Sequence, residues 1–177
     1  MDLYERLSEE RADLAEKWLA LLLQTYPQQT QQLWMRNQDP FANPVGSSFR
    51  QAVSALLDQI LDWSDAEAIS EALDKIIRIR AVQDFSPSQA VSFVYQLKRL
   101  VREGYMQKAV AAGTMEQFLD FEARLDNLAL MAFDVYTKCR EEVYEMRVKE
   151  VKNAQHKLLL RAKMIVDNSA GPADQAG

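Results

Sequence analysis

The chain of 177 residues carries one cysteine, one histidine, five glycines and five prolines, and each shortage removes a class of protein. A single thiol, Cys139, builds no internal disulfide framework and fits a reducing compartment. No histidine is placed to activate it, so a core thiol is the expected reading rather than a nucleophile. A single imidazole, His156, excludes a multi-histidine zinc site and the paired Glu-x-x-His units of a di-iron bundle. His156 falls late in the chain, beyond the expected core, which leaves haem without a good axial ligand. No Gly-rich phosphate loop is written, and no metal or cofactor is expected. Basic charge is short as well: 21 Lys and Arg stand against 26 Asp and Glu, a net −5, which argues against a nucleic-acid partner. The longest apolar run, Trp18 to Leu23, is far too short to cross a bilayer. The start, Met1-Asp2-Leu3-Tyr4-Glu5, lacks the basic and apolar regions of a secretory leader. No membrane insertion is expected, and the expected location is cytoplasmic.

What is present is helical spacing. Few Gly and Pro favour long helices, and 48% hydrophobic with 27% charged residues describes an ordinary globular domain. The most legible stretch is residues 64–103. Ser64 with Glu67, and Ser86 with Gln89, have capping-box spacing, and Pro87 sits where a first helical residue needs no N–H. Between these starts Ile69, Leu73, Ile76, Ile77 and Arg80 recur at steps of three and four. After them Ala90, Val94, Leu97 and Val101 do the same. The expectation is two amphipathic helices meeting at a corner, with one cation, Arg80, on an apolar face.

Elsewhere the chain reads as follows. Residues 2–26 form one helix ended by Pro27, and a brief helical piece follows that carries Trp34. The stretch from Asp39 to Gly46 holds two prolines and a glycine and reads as irregular. Ser47 or Ser48 caps a helix to about Asp62. Thr114 with Gln117 is a third capping box, opening a run from Met115 to Val166 with no Gly or Pro. At about 1.5 Å per residue this run is longer than the domain is wide. Its apolar stripe changes phase along the way. Phe118, Phe121, Leu125, Leu128, Ala132, Val135 and Cys139 serve the bundle. Tyr144, Val148, Val151, Gln155, Leu158 and Ile165 form a second stripe flanked by charge. The fold class is all-α, a bundle of five or six helices with a long C-terminal helix. The expected division is a helical domain at 1–143, an extended signalling and dimerisation helix at 144–166, and a disordered tail at 167–177.

No catalytic constellation appears. The candidate ligand-binding residues are Arg80, Asp84, Phe41, Trp34 and Tyr95. Asp84 lies four residues after Arg80, so a half-buried ion pair that orients the helix is the plain reading. A guanidinium in a desolvated pocket that recognises carboxylate or phosphate is the sharper one. Phe41 either plugs its loop onto the core or borders a pocket; Tyr95 is core or pocket wall. A hydrophobic cleft is expected between the Phe41 loop and the helices starting at Asp65 and Pro87. From Arg147 to Lys163 six basic residues stand against one Glu, read as a solvated flank before a surface for an acidic partner.

The segment Asp39-Pro-Phe-Ala-Asn-Pro-Val-Gly46 comes first. Ile77-Arg-Ile-Arg-Ala-Val-Gln-Asp-Phe-Ser-Pro-Ser-Gln-Ala90 follows, then Phe93 and Lys98. Together they resemble the N-terminal domain of the RsbT co-antagonist protein RsbRD, and the likeness extends to about residue 145. The resemblance implies a helical, stressosome-type sensory input domain that dimerises, in a system whose related input domains look like globins without haem. In such proteins a long helix leads into a STAS domain. None follows within these 177 residues, so a stand-alone sensor is expected. It carries no catalytic or ligand residues with it. The expected function is a non-enzymatic sensor that binds a ligand or a signalling partner and transmits the change through its last helix. The alternatives are a ligand-free interaction adaptor and, behind it, a haem-binding globin. A homodimer is expected, with Tyr144, Val148, Val151, Gln155 and Leu158 in the seam.

Overall fold

The computed structural model describes residues 2–37 and 39–162. Among them the chain is entirely helical, with no strand. Seven helices follow in order: α1 (Leu3–Glu9), α2 (Arg11–Leu23), α3 (Gln28–Arg36), α4 (Pro44–Asp62), α5 (Ala66–Val82), α6 (Pro87–Ala112) and α7 (Met115–Arg161). The all-α expectation holds, and the helices exceed five or six in two places. The first expected helix breaks at Glu10, whose carboxylate accepts from the Tyr105 hydroxyl at 2.8 Å and Lys108 Nζ at 3.4 Å on α6. The Trp34 piece, in turn, is a helix of nine residues.

The caps explain most helix starts. Asp2 and Glu5 form a reciprocal capping box, as do Ser86 and Gln89. The α5 start differs from the expected Ser64–Glu67 box. Asp65 is the cap, accepting from the backbone N–H of Glu67 and Ala68, while Ser64 donates to Asp62. Gln117, expected to close a box with Thr114, has its side-chain oxygen accepting from the Leu3 N–H at 2.9 Å.

The Asp39–Gly46 stretch is shorter as a loop than its prolines implied. Pro44 is the first residue of α4, where its missing N–H is harmless. Asn43 caps the helix, accepting from the Gly46 N–H at 3.0 Å and donating to the Trp34 and Asn37 carbonyls. A Cβ at Gly46 would lie 2.3 Å from Asn43 Nδ2, so any other residue there forces the capping side chain aside.

The chain divides into two compact units at Arg140. In the first, α2 packs between α4 and α6, and α5 lies along α4. Trp18 anchors this core, stacking on Phe93 with centroids 5.8 Å apart and donating its indole N–H to the Phe93 carbonyl. From α7, Phe118, Phe121, Leu125, Leu128, Ala132, Tyr136 and Cys139 are buried. Arg102 on α6 grips Glu122 with two 2.8 Å bonds, Lys98 meets Asp126 at 2.7 Å, and Arg124 donates to the Ile60 and Leu61 carbonyls. In the second unit, residues 141–161 continue α7. The expected tail at 167–177 and Ile165 lie outside the described residues.

Candidate functional site

Several helix ends converge inside the first unit. The side chains there are Thr25 and Tyr26 after α2, Trp34 of α3, Phe49 of α4, Arg80 in the last turn of α5, and Phe85 at the α5–α6 corner. Their rings form one cluster. Tyr26 lies 4.9 Å from Trp34, 5.9 Å from Phe49 and 5.2 Å from Phe85, and Trp34 lies 5.8 Å from Phe49, between centroids. This cluster occupies the region where a hydrophobic cleft was expected.

Arg80 stands inside it with a relative exposure of 0%. Its guanidinium carbon is 4.7 Å from the Phe85 ring and 5.8 Å from the Tyr26 ring. Nη2 donates to Thr25 Oγ1 at 3.1 Å and to the Gln89 carbonyl at 2.9 Å. Nε and Nη1 are buried and have no hydrogen-bond partner among the described residues, and neither has the Tyr26 hydroxyl. No carboxylate among the described residues pairs with this cation. Burial drives its pKa below the ordinary arginine value, against a smaller opposing effect of Tyr26. Burial likewise pushes the Tyr26 phenol up to about 12, with Arg80 acting in the opposite direction. Cation–π contacts are worth about 0.5–2 kcal/mol and a helix C-terminus about 0.3–1 kcal/mol. Taking an ion out of water costs several kcal/mol. The protein offsets part of that cost and leaves two nitrogens, carrying three N–H groups, without a partner among the described residues.

Asp84 corrects the expected pairing. It sits at φ 59°, in the left-handed region, and its carboxylate is bonded to Arg140 Nη1 at 2.8 Å, away from Arg80. The same Arg140 nitrogen donates to the Ala81 carbonyl at 2.8 Å. Tyr136, one turn earlier on α7, donates its hydroxyl to the Phe85 carbonyl at 2.6 Å. The α5–α6 corner is thus held from outside by α7 and from inside by the Arg80–Phe85 contact. Trp34 belongs to the ring cluster. Phe41 is 97% exposed and Tyr95 57% exposed, so the structure does not bring either into the node. Sequence reading passed over Thr25, Tyr26, Phe85, Tyr136 and Arg140 as site residues. Tyr136 and Arg140 had a signal, a four-residue step on one helix face pointing at a corner already recognised. Tyr26 had none, being the residue before a helix-ending proline.

In the second unit Tyr144, Val148, Val151 and Leu158 are each between 50% and 63% exposed, and Gln155 is exposed with them. His156 is exposed on the same helix. Among the described residues no group of three or more His, Cys, Asp or Glu could hold a metal ion, and no helix is long and apolar enough to cross a membrane.

The chain is similar to an uncharacterised protein of Archaeoglobus fulgidus, 26% identical over 144 residues, which cover 80% of this chain and 84% of that one. No solved structure matches. The family described as the RsbT co-antagonist protein rsbRD N-terminal domain matches residues 12–151, spanning α2 to α6, the Arg80 node, the corner and most of α7. The chain belongs to that family.

Proposed function

We propose that this is a non-enzymatic signalling input domain, in which a change at the Arg80 node is passed through the α5–α6 corner to α7. The family supports the signalling role, its description naming a domain of a co-antagonist protein. The observation that carries the transmission is the two-sided hold on the corner. Arg80 lies 4.7 Å from the ring of Phe85, and the backbone of that same residue accepts from Tyr136 of α7. Beside it Asp84 is kept in a left-handed conformation and tied to Arg140. Non-glycine residues in that region cost about 1–3 kcal/mol and persist where their surroundings impose them. Transmission in this reading requires a second arrangement of the corner, because coupling between sites needs a two-state element.

In this reading the protein is cytoplasmic and works as a homodimer. The exposed stripe of Tyr144, Val148, Val151, Gln155 and Leu158 forms the contact. The function ends in a signalling partner rather than in chemistry. Hydrogen exchange tests transmission. Arg80→Met perturbs the inner end, and amide protection is read on α7 between Ala132 and Arg140. Altered protection there is the expected result. A change confined to α5, α6 and the residues touching Arg80 would show that the corner transmits nothing.

A further inference from the structure

We infer that the Arg80 node is a binding site for a small monovalent anion, of a size between chloride and acetate. The inference rests on the reading of this node as the sensory end of the domain and names the class of ligand it takes. Arg80 is a fully covered cation, and no carboxylate among the described residues pairs with it. Two phenyl-type rings and two neutral oxygens are its neighbours. A guanidinium stays protonated in a protein interior, so the positive charge is left to be matched from outside the chain.

The unused polar atoms of the node are Arg80 Nε, Arg80 Nη1 and the Tyr26 hydroxyl. Both guanidinium atoms can only donate and the hydroxyl can donate, so what is missing is an acceptor. Buried polar groups are otherwise almost always partnered. The Nε–H and the Nη1 N–H groups point from opposite edges of the guanidinium, and Nη2, which would complete a two-oxygen fork with either, is already held by Thr25 and Gln89, so a small anion meets either nitrogen through a single contact.

The rings of Tyr26, Trp34, Phe49 and Phe85 pack 4.9–5.9 Å from one another, and Arg80 is fully covered beside two of them, which leaves no room for a metabolite with a bulky body. One unmatched charge calls for a single negative charge. Thr25 and Gln89 already hold Nη2, so the guanidinium is fixed before the anion arrives.

The test uses the full chain and three probes: sodium chloride, sodium formate and sodium acetate, at constant ionic strength with gluconate as the bulky counter-anion. Chloride-35 line broadening reports occupancy directly. Broadening by the wild-type protein, displaced by formate or acetate and lost in Arg80→Met, is the expected result. Should Arg80→Met fail to fold, Tyr26→Phe, which keeps the ring and removes the hydroxyl, is expected to weaken binding about two- to tenfold, one hydrogen bond's worth. Absence of broadening in the wild type overturns the inference, and so does broadening that Tyr26→Phe and Arg80→Met leave unchanged. Either failure stands apart from the transmission reading, because that is judged by α7 exchange protection in a variant rather than by anion occupancy.

Discussion

Arg80 shows how a single residue type at a single phase defines a site. Its step of three and four with Leu73, Ile76 and Ile77 placed it on the buried face of α5, and it is buried. Its partner was illegible, because a carboxylate four residues on is the ordinary helical solution, and here the helix ends in between. α5 stops at Val82, so Asp84 leaves the helical face and turns to Arg140. The consequence is measurable. Arg80→Met keeps the volume and removes an uncompensated charge; in gluconate buffer it is expected to change stability by less than about 1 kcal/mol or to raise it, as replaced buried charges often do. Arg80→Ala leaves a void among the rings and is expected to cost about 2–4 kcal/mol, both read from urea unfolding. A loss in Arg80→Met as large as in Arg80→Ala would show that the charge itself stabilises the fold.

Tyr26 gives a pH signature at the same scale. Its phenol titrates at the ordinary value near 10 in the unfolded chain and is raised to about 12 in the fold, because burial disfavours the phenolate. A raised folded pKa means that the native state holds the proton more tightly. The stability from this group is therefore present below pH 10 and lost as pH rises through 10 toward 12. Tyr4 and Tyr105 are also raised, chiefly by burial, and add to the same alkaline arm. Tyr26→Phe is expected to flatten the fall in melting temperature across that window without abolishing it. An unchanged slope would place the Tyr26 hydroxyl in contact with solvent.

At the scale of elements, helix existence was legible and helix ends were legible only where a cap acts within its own helix. The Ser86–Gln89 box was readable for that reason. Glu10, where the first helix breaks, is bonded to Tyr105 and Lys108, about ninety-five residues away, and no local pattern announces that contact. Pro44 and Gly46 look like loop residues by composition, yet they open a helix because Asn43 caps it and Gly46 makes room for that cap. Gly46→Ala is expected to displace the Asn43 side chain and lose its bonds to Gly46, Trp34 and Asn37, costing about 1–3 kcal/mol. Gly104 is the internal control. It lies within α6 with open space around it, and Gly104→Ala is expected to stabilise by up to about 1 kcal/mol through helix propensity. Equal effects of the two substitutions in urea melts would remove the argument for a sterically required glycine.

At the scale of the whole molecule, the question is what covers the last stretch of α7. Tyr144, Val151 and Leu158 recur at seven-residue intervals, with Val148 and Gln155 four residues after the first two. That is the spacing of a helix-to-helix seam, and a polar Gln inside it fixes register. Each of the four apolar members is at least half exposed in the single chain, the kind of surface that soluble monomers keep small. A second copy of the same helix offers the same stripe, and a symmetric pair closes both at once. Flanking charge fits an exposed rim, as the Lys149–Glu145 pair at 4.0 Å shows. Light scattering decides the matter directly. The wild-type chain at tens of micromolar is expected at twice its 20.3 kDa mass, and Val151→Glu, which sets a charge in the middle of the seam, is expected to bring it to one. Because Val151 lies outside the buried core, the variant should keep its helical circular dichroism and its melting temperature at low protein concentration. A wild-type mass of one chain rejects the dimer. A dimer indifferent to Val151→Glu would move the contact to another face, with the first helices the next place to look.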